Sequence, residues 1–336
     1  MTGSGDDADL LGRAQGCWLG QLTGDALGSM VEFASGAHLR RRYPRGLRDI
    51  GASPVWNTLA GQPTDDSELA LMLARTLLRD GYYDAEKAAE AYCWWFKSDP
   101  FDMGGTIATA TNAMIGAERR GESRVRAAEE HANTASQANG ALMRQSPLGV
   151  WGVSLPSEAL DIIVRADTRL THPNPVCQDA SAAFIVALAA TIRESLDGEG
   201  AYAHACAWDA AHGSSPAVTQ ALEAARDQPP DYGHPAGWVL VALQNAFYQA
   251  LHAGTFEEGV VATVMGGGDT DTNGAIAGAL LGAIHGSDAI PSQWRQAILT
   301  CRPQAGIPNV KRPRPPDFWP VDALTLAERL LASGRS

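Results

Sequence analysis

Glycine recurs at every fourth position in two stretches at opposite ends of this chain: Gly12, Gly16, Gly20, Gly24 and Gly28, then Gly274, Gly278, Gly282 and Gly286. Residues four apart share one face of an α-helix, so each stretch, wound as a helix, carries a stripe without side chains. A glycine inside a helix costs roughly 0.5–1 kcal/mol relative to alanine, so several in one helix need an offsetting gain. Close approach of backbone to backbone supplies it. A membrane dimer seam uses the same spacing, but Arg13, Gln15 and Asp25 lie within the first stretch and oppose that reading. The two stretches are expected in the centre of the fold, with each other as candidate partners.

The helical period also governs the rest of the chain. Leu69, Leu73 and Leu77 lie four apart within 64–79, and Ile107, Ala110, Met114 and Ala117 mark a helix within 106–119. The same pattern covers 84–97, 157–170, 179–195 and 238–252, and a last helix with Asp322 as N-cap buries Leu324, Leu326 and Leu330. Only 150–155 hints at a strand. With 336 residues, 45% of them hydrophobic and 19% charged, the chain can bury a full core. The expectation is one compact, all-α, multi-helical domain over 1–336, with 1–9 a disordered tail. Residues 302–320 contain six of the 19 prolines and are expected as an extended surface segment.

Charge narrows the partners. Lys and Arg number 26 against 38 Asp and Glu, a net −12 that opposes nucleic-acid binding, which needs a basic surface to neutralise phosphates. The polar, acidic N-terminus lacks a signal-peptide layout, and the longest apolar stretch, 180–192, is too short to span a bilayer. The five cysteines, Cys17, Cys93, Cys177, Cys206 and Cys301, form no CxxC pair, which suits a reducing compartment. A cytoplasmic monomer with no membrane or nucleic-acid partner is expected.

Two acidic clusters stand where helices begin. Thr64-Asp65-Asp66 follows the breaker Gly61-Gln62-Pro63, and Asp269-Thr270-Asp271-Thr272 follows Gly266-Gly267-Gly268. Capping accounts for either cluster alone, because Thr and Asp satisfy the first N–H groups of a helix and early carboxylates complement its dipole. Together they offer four carboxylates with neighbouring hydroxyls, the hard oxygen set favoured by Mg2+ or Mn2+. If the striped helices bring the clusters together, each close pair repels by about 4 kcal/mol at an effective dielectric of about 20. Two divalent cations remove that repulsion. The stretch from Asp269 also imitates the opening of an EF-hand loop, but its twelfth position is Leu280 instead of a bidentate glutamate. The histidines form no HExxH pattern, so zinc is not expected, and nothing around Cys177 marks an activated thiol.

Five motifs then follow in order: Gly24-Asp25-Ala26-Leu27-Gly28 with Glu32-Phe33; Thr64-Asp65-Asp66; Asn139-Gly140-Ala141-Leu142-Met143-Arg144 with Pro147-Leu148-Gly149; Thr171-His172-Pro173; and Gly267-Gly268-Asp269-Thr270-Asp271-Thr272 with Gly278. Their order and spacing, from Leu10 to Gly286, resembles the ADP-ribosylglycohydrolase family, and within it the dinitrogenase-reductase-activating and ADP-ribosylarginine hydrolase branch. The resemblance implies an all-α fold and two Mg2+ or Mn2+ ions where the bond to the distal ribose of ADP-ribose is cleaved. It implies Thr64, Asp65, Asp66, Asp269, Asp271 and Thr272 as metal ligands and Glu32 as a catalytic carboxylate. Asp102, in Pro100-Phe101-Asp102-Met103-Gly104, resembles a second carboxylate that assists ring opening or the leaving group. Gly104, Asn139, Gly140 and Met143 look like the loops that wrap the diphosphate and distal ribose. His172 matches a ligand-facing histidine, and Trp238 looks suited to stacking on adenine. One departure is Ala138, where a glycine commonly precedes the Asn-Gly pair.

Two function classes remain open. One is a metal-dependent hydrolase that releases ADP-ribose from a modified protein, with arginine as the first linkage and serine-linked or O-acetyl ADP-ribose as others. The second is a non-catalytic ADP-ribose-binding or partner-occluding protein on the same fold. Loss of an aspartate from either cluster would favour the second, and all four are present. A glycosyltransferase using Asp-x-Asp would need an α/β nucleotide domain, which the periodicity does not offer.

Overall fold

The structure, a computed structural model, describes residues 3–233 and 236–334. Sixteen α-helices joined by loops and short 3-10 turns make an all-α fold, with no strand among the described residues. Its axis is a pair of antiparallel helices, Gly3–Gly28 and Thr270–His285. A Cβ on Gly16, Gly20 or Gly24 would stand 2.2, 2.0 and 2.0 Å from the carbonyl oxygens of Gly282, Gly278 and Gly274. The two backbones therefore touch, and only hydrogen fits between them. Gly12 lies beyond this seam, with nothing within 4 Å of its missing side chain. The flanks of the pair are covered by helices Val239–His252, Phe256–Gly266 and Ala323–Ser333.

This pairing sets one end of the first helix beside the start of the other. Thr270 Oγ1 donates to the Gly28 carbonyl at 2.7 Å, so the turn that follows Gly28 emerges next to the Asp269–Thr272 cluster. Helix Asp65–Asp80 approaches the same end: the buried Gln21 Nε2 donates to the Asp66 carbonyl at 3.4 Å and to that of Met143 at 3.0 Å.

Helices expected at 64–79, 84–97, 106–119, 157–170 and 238–252 are found as Asp65–Asp80, Ala85–Lys97, Gly105–Arg120, Ser157–Arg169 and Val239–His252. The one expected at 179–195 begins earlier, as Pro175–Glu194, because Asn174 caps Val176 N–H and Pro175 takes the first turn. With its extra turn it is, contrary to the length of 180–192 alone, long and apolar enough to cross a bilayer, and it lies buried among the other helices.

Four expectations are corrected. The strand hint at 150–155 is helix Ser146–Trp151 followed by the 3-10 turn Gly152–Ser154. Val150, Trp151 and Val153 are all buried, so the run carries no alternation between two faces. The tail 1–9 is helical from Gly3 onward, its first two residues lying outside the described ones, and Asp9 accepts from Arg13 at 2.9 Å and Ser195 at 2.6 Å. The segment 302–320 is not confined to the surface, since Arg314, Phe318 and Pro320 are buried. Asp322 occupies the last N-cap position, but its carboxylate pairs with Arg75 at 2.8 and 2.9 Å instead of capping.

Candidate active site

Capping does not explain the acidic clusters. Thr64 and Asp269 sit at N-cap positions, yet neither side chain caps its helix. Thr64 Oγ1 lies 2.9 Å from Asp25 Oδ1 and 2.9 Å from Asp66 Oδ2, and Thr64 N–H donates to the Asp25 carboxylate at 3.2 Å. Asp269 Oδ2 accepts from Asn139 Nδ2 at 2.8 Å. Both residues turn away from the helix ends they begin.

Asp269 faces one cavity of about 340 Å3. Glu32, Asp65, Asp102, Asp269, Asp271 and Thr272 supply its acidic wall, while Gly104, Asn139, Gly140, Met143 and His172 face it. Glu32, Asp102 and Asp271 each offer a carboxylate oxygen within 4.8 Å of the other two. Thr64 and Asp66 lie behind the wall, fully buried, and Asp66 Oδ1 has no hydrogen-bond partner. A buried carboxylate oxygen left unpaired is costly unless a cation meets it.

The electrostatics agree. Burial, and then the charges of Asp269 and Asp65, push Glu32 up to about 7 against the hydrogen bonds from Asp271 and Trp56. Burial, then Glu32, Asp25 and Asp269, pushes Asp102 up to about 7. Asp65, Asp66 and Asp271 stand well above the ordinary carboxylate range, through burial first and neighbouring carboxylates second. Hard oxygen donors that crowd one another and resist ionisation fit divalent cations, which supply the missing positive charge.

Two backbone devices assemble the walls. Gly267 and Gly268 adopt φ of +84° and +77°, conformations that a side chain would strain. Their turn pairs with the one after the first helix: Phe33 N–H donates to Gly268 O at 2.8 Å and Gly268 N–H to Ala34 O at 2.9 Å. Glu32 is thereby tied to the Asp269 turn, and Trp56 Nε1 donates to its Oε2 at 2.6 Å. On the other side, Asn139 N–H donates to Gly237 O at 2.9 Å and Val239 N–H to Gln137 O at 3.0 Å, an isolated antiparallel bridge. Trp238 does not line the cavity. It lines an adjoining groove that shares Ala138, Ala236 and Gly237 with the cavity, and its Nε1 donates to Gln137 Oε1 at 2.9 Å.

His172 is buried at the cavity wall, its Nδ1 2.8 Å from Thr171 Oγ1. Arg144 Nη1 donates to that same hydroxyl at 2.8 Å, so the single hydroxyl hydrogen is free to serve His172 Nδ1. This network assigns the neutral Nε2–H tautomer. Burial, then Arg144, depresses the imidazole to about 3. Gly140 permits the approach, since a Cβ there would stand 3.0 Å from His172 Cε1. Arg144 is itself fully buried, 3.1 Å from Asp167, which also accepts from Tyr92 at 2.6 Å.

Sequence reasoning assigned no role to Asp25, Trp56 or Arg144. Asp25 had a visible signal, a carboxylate inside a glycine-striped helix. Trp56 had none, because its contact with Glu32 crosses a loop without periodicity.

An ADP-ribosylglycohydrolase family model matches residues 6–332. The chain is 32% identical over 290 residues to the ADP-ribosyl-(dinitrogen reductase) glycohydrolase of Rhodospirillum rubrum, across 84% of this chain and 88% of that protein. It is 24% identical over 324 residues to ADP-ribosylarginine hydrolase Tri1 of Pseudomonas putida, across 95% and 83%. A solved ADP-ribosylglycohydrolase-related protein complex aligns with a TM-score of 0.77 at 25% identity, over 97% of this chain and 99% of that one. The chain belongs to the ADP-ribosylglycohydrolase family.

Proposed function

We propose that this chain is a Mg2+- or Mn2+-dependent hydrolase that releases ADP-ribose from modified arginine side chains of a protein. The observation that carries the reading is the convergence of Glu32, Asp102 and Asp271 oxygens within 4.8 Å at one wall of the cavity. A binder has no need of further carboxylates such as Glu32 and Asp102 beside the ion ligands; proton transfer does.

Thr64, Asp65, Asp66, Asp269, Asp271 and Thr272 would hold two ions. Such ions, when bound, supply Lewis acidity that orients a ribose diol and acidifies water. Glu32, held by the Trp56 N–H, accepts the proton of the water whose oxygen bonds to the distal ribose C1″. Asp102, within 4.8 Å of Glu32 and Asp271, delivers a proton to the departing guanidine as the C1″–N bond breaks. His172 donates its Nε2–H to the ligand, and the start of helix Gly105–Arg120 turns N–H groups to a diphosphate. The acidic wall suits a guanidinium leaving group, and the name of the Pseudomonas putida relative supports arginine.

Incubation with arginine-, serine- and O-acetyl-linked ADP-ribose, each with and without Mg2+ or Mn2+, tests the reading. Release from the arginine linkage alone, and only with metal, is the expected result. Binding of ADP-ribose without turnover on any linkage would favour the non-catalytic binder.

A further inference from the structure

Asp102 stands on an irregular turn between helices Ala85–Lys97 and Gly105–Arg120, far in sequence from the carboxylates it joins. What fixes that turn comes from the proline-rich segment near the C-terminus. Arg314 is 5% exposed and uses every N–H of its guanidinium. Nε and Nη2 donate to Glu68 Oε1 and Oε2, both at 2.8 Å. Nη1 donates to the carbonyls of Ser98 at 2.7 Å and Asp99 at 3.2 Å, and Nη2 also reaches Ser98 Oγ at 2.8 Å. Glu68 lies one turn into the helix that begins with Asp65 and Asp66. One guanidinium thus clamps the helix of the metal-ligand cluster to the turn that carries Asp102.

Two further observations point the same way. Asp99 adopts φ of +56°, a left-handed conformation that a non-glycine residue holds only when its surroundings impose it, and Arg314 grips its carbonyl. Arg312 performs a parallel task two residues earlier. Its Nε donates to the Trp56 carbonyl at 3.1 Å, and its guanidinium lies 5.9 Å from the Phe101 ring centroid. Trp56 is the residue that donates to Glu32, and its ring lies 6.0 Å from that of Phe101. A buried ion pair is often replaceable by apolar residues without loss of stability, so stability alone does not account for one here.

We propose that Arg314 is a positioning residue that sets Asp102 against Glu32 and Asp271, making the segment 312–314 a strap across the turn that carries Asp102 and the loop that carries Trp56. This rests on the hydrolase reading above. Arg314→Lys keeps a charge for Glu68 but cannot fork to Ser98 and Asp99. Single-turnover rate and ADP-ribose affinity are measured for the metal-loaded wild type, Arg314→Lys, Asp102→Asn and the double variant. Misplacement of a reacting group costs up to about 100-fold, so Arg314→Lys should slow turnover by about 10- to 100-fold with affinity nearly unchanged. Because it acts through Asp102, it should slow Asp102→Asn no further.

A folded Arg314→Lys at wild-type rate overturns the proposal, as does equal slowing of the wild type and Asp102→Asn, the mark of a merely structural role. Fully active Asp102→Asn removes Asp102 from the hydrolase reading and the strap with it, whereas slow Asp102→Asn beside fast Arg314→Lys defeats the strap alone. Should Arg314→Lys fail to fold, Glu68→Gln/Arg314→Gln removes both buried charges together and is read in the same cycle.

Discussion

Gly20 and Gly278 meet backbone to backbone: a Cβ on Gly20 would stand 2.0 Å from the Gly278 carbonyl oxygen, and one on Gly278 would stand 2.2 Å from that of Gly20. Helix propensity alone favours alanine at both by about 0.5–1 kcal/mol. The seam reverses that preference. Gly20→Ala and Gly278→Ala should each lower stability by about 1–3 kcal/mol, the usual penalty of overpacking, and leucine should do worse. Gly12→Ala, with open space around it, should be neutral or stabilising. Thermal melts decide, and equal melting temperatures for Gly12→Ala and Gly20→Ala would show that the stripe faces no packed helix.

Removing one ligand charge should silence the site without unfolding it. Asp65→Asn and Asp271→Asn keep the shape of these buried side chains, and each should abolish metal-dependent release of ADP-ribose. Chelator should do the same to the wild type, and Mg2+ or Mn2+ should restore it. Full activity in excess EDTA would exclude the ions from the reaction.

Stability should depend on pH in a direction opposite to ordinary acid denaturation. Glu32, Asp102 and Glu68 are each pushed up to about 7, burial being the main cause. Unfolded carboxyl groups titrate near about 4, so between the two values the folded chain holds protons that the unfolded chain releases. Stability is then lost as pH rises through about 7. In chelator, lowering the pH from about 8 to about 6.5 should stabilise the protein by about 1–2 kcal/mol. Below about 6.5 the buried, neutral His172 opposes this, because the unfolded imidazole gains a proton that the folded one refuses. Denaturant titrations across this range check the slope, which saturating Mg2+ should flatten. A metal-free protein whose stability rises toward pH 8 would contradict the raised carboxylates.

Much of this was readable in the chain because the physical requirement was itself the pattern. A seam that admits only hydrogen demands glycine at helical spacing, so Gly16 to Gly28 and Gly274 to Gly282 announce their own contact. The clusters at Thr64 and Asp269 were equally visible as residue types, but their capping role had to be excluded by geometry. Trp56 on Glu32, and Arg314 on the turn before Asp102, left no trace, since a single tertiary hydrogen bond imposes no period. The proline-rich 302–320 read as surface because its composition matches loops, while the burial of Arg314 depends on Glu68, far earlier in the chain. The strand hint at 150–155 failed for a related reason, a short apolar run being ambiguous wherever every side is buried.

Glu32 is the residue on which proposed turnover depends most directly. Glu32→Gln keeps the bond from Trp56 within reach of an amide oxygen but removes the basic carboxylate. The decisive measurement is single-turnover release of ADP-ribose from an arginine-ADP-ribosylated protein, in saturating Mg2+ or Mn2+, with ADP-ribose affinity measured alongside by calorimetry. The expected result is a rate lower by about 10²–10⁴-fold, the range of a general acid–base group, with affinity little changed. A variant that releases ADP-ribose at close to the wild-type rate would contradict it.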